Sequence, residues 1–281
     1  MKLMLLRLKF SAILCAIGVL TISVSATTIV LGFSKNKVVI AADSRLTNED
    51  GTHQDTSCKI AALNDRFLFT TSGRAIDVTN HKLGWDVAQF ARIALNDVLK
   101  KRMDPTRTPE RPFAGDVADL WQDLVGQSIS NNIRATEFAR LKPKETFVNG
   151  MFFGITPSGN IQGAFAALAR SADLGYMIES PPLTTYDPSD KITFAQQGGE
   201  DQLFLEFTHA TTRRARAELA ATNELAKKWP PAEADVRVAM RLVELIIKYD
   251  TDHYVGGPID AVELDKGGTI RWIQRKSNCK D

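Results

Sequence analysis

The chain has 281 residues, 44% of them apolar and 24% charged, a composition that excludes a disordered or low-complexity protein. Its formal charge of +2 overstates its basicity, because three of the 35 basic residues (Lys2, Arg7 and Lys9) lie at the very start. Without them 32 basic residues face 33 acidic ones, so nothing points to nucleic acid or an anionic membrane surface as a partner.

Those three basic residues precede an almost unbroken apolar run from Phe10 to Thr21, and Val24-Ser25-Ala26 follows. This is the pattern that signal peptidase cuts. The apolar core is shorter than the roughly 20 residues that span a bilayer. Residues 1–26 are therefore read as a signal peptide that is removed, leaving the chain exported, periplasmic or secreted, and free of the membrane. Thr27 becomes the first residue of a single domain, 27–281, in which no internal repeat is visible.

Thr28 to Phe33 and Lys37 to Ala42 are apolar, β-branched runs separated by Ser34-Lys35-Asn36, the mark of a hairpin. Folding there brings Asp43 or Ser44 beside Thr27. A second reversal at Asp50-Gly51 returns Lys59 towards Asp43. Arg66 to Thr71 reads as a strand closed by Ser72-Gly73, and the apolar spacing predicts a helix over roughly Ala75 to Lys101. A three-proline loop, 104–112, separates it from a second helix from Asp116 to about Arg134. Strands follow at Phe147 to Ile155 and Ile161 to Leu168, with shorter ones at Leu174 to Glu179 and Ile192 to Ala195. A long helical region opens at Gly198–Asp201 and runs to about Lys228. Pro230-Pro231 ends it, a further helix covers Ala232 to Tyr249, and Pro258 to Leu264 pairs with Thr269 to Gln274 as a terminal hairpin.

Cys15 lies in the leader, and Cys58 and Cys279 remain. They are read as unrelated thiols, although export would allow them to pair. The four histidines, at 53, 81, 209 and 253, are scattered, and no Cys/His group has metal-ligand spacing. No metal or cofactor is expected.

An N-terminal threonine can be nucleophile and base in one residue, because its own α-amine can accept the hydroxyl proton. That amine has a reference pKa of about 7.7–8, whereas an internal threonine has only an amide nitrogen. Cleavage after Ala26 would thus be the activating step. Lys59 would lower the hydroxyl pKa, and Asp43 would orient the lysine.

Thr27-Thr-Ile-Val30, Ala41-Ala-Asp-Ser-Arg45, Lys59-Ile60, Ser72-Gly73 and the later Asp252-His-Tyr-Val-Gly-Gly257 together resemble proteasome β-type subunits, which are N-terminal-nucleophile hydrolases. The resemblance is dense over about Thr27 to Asp77. It implies an α+β fold, the four-layer αββα sandwich of that hydrolase type, with helix following Gly73. It assigns Thr27 as nucleophile, Asp43 and Lys59 as its activators, the Gly73 N–H as an oxyanion donor, and Asp252 as a supporting carboxylate. Arg45 either holds the Asp43 loop or is a surface charge. Leu46, Ser57, Ala61, Thr71, Ala75 and Thr79 would line a small, uncharged pocket. Two departures stand out: Val255 and Gly198 occupy places where the family has serines, so Val255→Ser is expected to speed the reaction. The leader also ends in alanine, which assigns the cut to signal peptidase.

The expected function is an exported threonine-type hydrolase, a peptidase, cleaving amide bonds. An acylase or amidase on small amides and a catalytically idle scaffold or binding protein are the alternatives. Partners are then a peptide or small amide and signal peptidase; a homo-oligomer is left open.

Overall fold

The structure is a computed structural model that describes residues 27–47, 53–73, 76–79, 82–102, 113–132, 144, 146–156, 159–171, 178–179, 184–186, 190–197 and 201–279. The first eight strands are β1 (Ile29–Phe33), β2 (Lys37–Ala42), β3 (Leu46–Thr47), β4 (His53–Gln54), β5 (Ile60–Asn64), β6 (Phe67–Gly73), β7 (Ile76–Thr79) and β8 (Lys82–Asp86). Helices α1 (Val87–Arg102) and α2 (Phe113–Asn132) lead to β9 (Thr146–Ile155), β10 (Ile161–Arg170), β11 (Ile178–Glu179), β12 (Thr184–Tyr186) and β13 (Thr193–Gln197). Helices α3 (Asp201–His209), α4 (Arg213–Ala226) and α5 (Ala234–Tyr249), the last entered through a 3-10 turn, precede the hairpin of β14 (Asp260–Asp265) and β15 (Ile270–Gln274).

Two antiparallel sheets organise these elements. One has five strands in the order β13-β1-β2-β14-β15; the other has six, β11-β10-β9-β6-β5, with β12 also paired to β10. Side chains alternate across a strand, so each apolar run serves two cores. Ile29, Leu31, Val38, Ile40 and Ala42 meet Ile60, Leu68, Met151 and Phe153 between the sheets. Val30, Val39 and Ala41 face the other way, against Phe207 of α3 and Val236, Val243 and Ile246 of α5. On the far side of the six-stranded sheet, Phe67, Phe69 and Phe152 pack against Leu95 of α1 and Trp121 of α2, and Trp121 Nε1 donates to the Val87 carbonyl at 2.9 Å.

The structure corrects the expected four-layer αββα sandwich of the N-terminal-nucleophile type. The described residues make a mixed α+β fold of a five- and a six-stranded sheet, two separate two-stranded ribbons and five α-helices, and the sheets do not form that sandwich. The ribbons are β3-β4 and β7-β8. The second of them occupies the stretch after Gly73, where the resemblance implied helix. Ile76, Val78 and Thr79 are β-branched residues suited to a pleated strand, and the helix begins only at Val87. There Asp86 Oδ1 accepts from the N–H groups of Ala88 and Gln89 at 2.9 and 3.2 Å, an N-cap that the apolar spacing conceals. The single helical region expected up to Lys228 is likewise two helices. Ala210 has φ +51°, and Thr212 caps the second helix by accepting from the Ala215 N–H at 3.0 Å.

The pairing of cysteines also differs from expectation: Cys58 and Cys279 form a disulfide, with Cα atoms 5.5 Å apart. Strands β14 and β15 return the C-terminus to the segment just before β5, which brings the two positions together.

Candidate active site

The β1–β2 hairpin sets the site. Its ladder runs one step past the strands, where the Asp43 N–H donates to the Thr28 carbonyl at 3.1 Å. Asp43 is therefore opposite Thr28 and beside Thr27, and both Thr27 and Asp43 are buried, 3% and 0% exposed.

A carboxylate so buried needs partners for its lone pairs, and Asp43 has four. Oδ1 accepts from the Thr28 N–H at 2.8 Å and from Lys59 Nζ at 2.7 Å; Oδ2 accepts from the N–H groups of Arg45 and Gly256 at 3.2 and 3.1 Å. Lys59 arrives from just before β5, is 3% exposed, and gives a second hydrogen bond to the Arg45 carbonyl at 2.8 Å. One oxygen of Asp43 thus holds both the lysine ammonium and the amide that follows Thr27. Burial pulls the Lys59 pKa down from 10.5 to about 8, the nearby Lys276 adding to the fall, while Asp43 opposes it by charge and by hydrogen bond.

Arg45 holds this loop together. Its guanidinium makes a two-pronged ion pair with Asp55, Nε to Oδ1 at 2.8 Å and Nη2 to Oδ2 at 3.0 Å, and Nη1 donates to the His253 carbonyl at 2.9 Å. The Gly256 carbonyl accepts from the N–H groups of Ser44 and Arg45, each at 3.1 Å. A Cβ on Gly256 would lie 2.4 Å from the Arg45 guanidinium carbon, so a side chain there would push the guanidinium from its place.

The C-terminal tail fastens the other side of Lys59. Lys276 is paired with Asp260 at 2.8 Å, and both side chains are buried. Lys276 Nζ also donates to the Ser57 carbonyl, Asn278 Nδ2 donates to the Thr56 carbonyl at 2.9 Å, and Cys279 bonds Cys58. Residues 56–58, immediately before the lysine, are tied to the tail at each position.

Gly73 ends β6 opposite Val148, in a left-handed conformation with φ +89°. A Cβ there would meet the Phe147 carbonyl oxygen at 2.5 Å, so a side chain is excluded on two counts. The Thr71 N–H donates to the Lys59 carbonyl at 3.1 Å, which puts Gly73 at the same end of the sheet as Lys59.

The other sequence-derived positions differ in their surroundings. Asp252 is exposed. The buried carboxylate of its loop is Asp250, whose Oδ2 accepts from the Val255 N–H at 2.7 Å and Oδ1 from the Asp252 N–H at 3.1 Å. The helix-end position of Asp250, directly after Tyr249, was the available signal. Val255 is buried in the apolar core against α3 and α5, where valine is a packing residue and not a substitute for a hydroxyl. Of the pocket positions, Ala61 packs against the core beneath α1 and α2, and Thr71 donates its hydroxyl to the Asn149 carbonyl at 2.7 Å. Ser57 is half-buried on the tail-bound segment. Leu46 and Thr79 lie in β3 and β7. Ala75, Gly198 and the signal peptide at 1–26 lie outside the described residues.

Among the described residues no group of three His, Cys, Asp or Glu side chains could hold a metal, and no helix is long and apolar enough to cross a membrane. The chain matches no model of a known protein family and no curated protein. A buried, desolvated lysine held on one carboxylate beside a threonine can lower the pKa of a neighbouring hydroxyl and stabilise negative charge that develops on it.

Proposed function

We propose that the chain is an exported threonine-type hydrolase that cleaves amide bonds, with Thr27 as nucleophile once residues 1–26 are removed. The observation that carries this reading is the Asp43 oxygen shared by Lys59 Nζ and the Thr28 N–H. A buried ion pair is a weak route to stability, and this one holds the N–H of Thr28, next in the chain to the one residue that processing would give a free amine. The Thr27 hydroxyl attacks the amide carbonyl while its own amine takes the proton and then passes it to the leaving amine. Water releases the acyl group by the reverse transfer. The Lys59 ammonium favours the alkoxide, and the Gly73 N–H is the proposed oxyanion donor. Export agrees with the Cys58–Cys279 bond, since disulfides persist in oxidising compartments.

The test is turnover of short peptides and simple N-acyl amides by the exported chain. Thr27→Ser should keep measurable hydrolysis, whereas Thr27→Ala and Lys59→Arg should abolish it, because a guanidinium cannot fill the place of a compact ammonium. Turnover that survives Thr27→Ala sinks the proposal, and hydrolysis of the simple amides alone redirects it to an amidase.

A further inference from the structure

Strand β13 brings an unexplained polar group to the end of β1. Gln197 pairs with Ile29 and is 9% exposed, yet neither Nε2 nor Oε1 of its side chain has a hydrogen-bond partner among the described residues. Leaving a buried amide unpaired is unfavourable by an amount comparable to a hydrogen bond for each group, and valine or leucine would suit a purely structural position. Gln197 shares the face of its strand partner, Ile29, whose side chain lies in the core between the sheets. Strand alternation puts Thr27, two residues before Ile29, on that same face. Diagonal neighbours in an antiparallel pair are about 7–8 Å apart, within reach of a long side chain.

We propose that Gln197 is the positioning residue for the Thr27 α-amine, its Oε1 accepting a hydrogen bond from that amine after cleavage of the Ala26–Thr27 bond. The inference rests on the reading of Thr27 given above. Cleavage creates at this place a donor that the intact chain does not have, since an ammonium brings three N–H bonds where the peptide has one. Of the charged groups around β1, Asp43 holds the Thr28 N–H and is already bonded to Lys59, and Lys276, near enough to lower the Lys59 pKa, is paired with Asp260. Gln197 thus supplies what Val255 cannot, a polar side chain turned to the inter-sheet face, and it comes from the strand on the opposite side of β1 from Asp43. It holds the base within reach of the hydroxyl, and reach governs proton transfer before pKa does.

The test uses the exported chain, its start at Thr27 verified by intact mass, with Gln197→Met and Gln197→Glu. Two quantities are read: the pH dependence of α-amine acylation by a small anhydride, which needs no turnover, and kcat and KM for an amide substrate. A hydrogen bond to the charged form raises an amine's pKa, so Gln197→Met should lower the amine pKa and Gln197→Glu should raise it. For Gln197→Met, kcat should fall about five- to tenfold, on the scale of one hydrogen bond, with KM little changed. An amine pKa that stays put in both variants overturns the assignment while leaving Thr27 as nucleophile. A chain that starts elsewhere removes the amine and overturns both.

Discussion

Replacing Asp43 by asparagine separates the contribution of the buried pair to folding from its contribution to chemistry. The carboxylate accepts four hydrogen bonds, three from backbone N–H groups and one from Lys59. An asparagine keeps one acceptor oxygen and turns an NH2 group towards donors, so at least one backbone N–H loses its partner. Lys59 then retains the Arg45 carbonyl at 2.8 Å but loses the carboxylate that bonds it. Removing one partner of a buried pair costs about 3–5 kcal/mol. The lysine can escape by entering the fold neutral, at about 1.4 kcal/mol per pH unit below its ordinary value; from 10.5 down to pH 7 that is roughly 5 kcal/mol, which caps the loss on its account. The loss is a large share of the ~5–15 kcal/mol that keeps a domain folded. The pH dependence has a definite sign. In the parent, Lys59 titrates at about 8 when folded against 10.5 ordinarily, so the unfolded chain binds the proton more tightly and stability rises with pH across that window. Without Asp43 the folded value drops further and the window opens downwards. The gap between variant and parent should therefore narrow by about 1 kcal/mol between pH 7 and pH 9.5. Urea unfolding with the disulfide intact measures both quantities, and Asp43→Asn combined with Lys59→Met should recover part of the loss, because an apolar replacement leaves no buried charge. A loss below about 1 kcal/mol, or a gap that widens with pH, would mean that Asp43 does not hold a charged Lys59 in the fold.

Three further outcomes are expected. Hydrolysis should give a bell-shaped kcat/KM profile centred near pH 8, rising as the α-amine (reference about 7.7–8) loses its proton and falling as Lys59, at about 8, loses its own; a plateau to pH 10 would contradict the role of Lys59. Cys58→Ser with Cys279→Ser opens a connection spanning 221 residues, worth roughly 5 kcal/mol in chain entropy. Thermal unfolding should move well down and turnover should fall with it, because residue 58 fixes the approach of Lys59; an unchanged unfolding temperature would count against the tail as a fastening. Val255→Ser should destabilise by about 1–3 kcal/mol through a buried hydroxyl and should not speed hydrolysis; calorimetry and initial rates measure the two effects.

The hairpin, the Asp43–Lys59 contact and the terminal strands were legible because each rests on short-range chemistry: β-branched runs, a polar turn and a spacing that doubles back. The stretch after Gly73 was misread because Val78 and Leu83 also satisfy a helical period, and only the Asp86 cap marks where helix begins. Thr212 was a capping residue inside an otherwise helical composition, so one helix was read where two exist. The disulfide was hidden because its partners meet only after β14 and β15 have formed. Asp252 and Asp250 are nearly indistinguishable in sequence, and burial separates them: Asp250 bonds the Val255 N–H inside its loop, whereas Asp252 points to solvent. Gln197 had no mark in the sequence, since an amide at a strand end is ordinary until both its polar atoms prove to be buried and unpaired.

Whether a free Thr27 is the reactive group can be read from intact mass. Exported protein would be treated with an electrophile selective for N-terminal threonine, beside Thr27→Ala as control. The chain should begin at Thr27, gain the mass of one adduct, and gain nothing when Thr27 is alanine. A chain beginning at Met1 or Thr28, or one that starts at Thr27 and stays unlabelled, would show that a free Thr27 is not the reactive group.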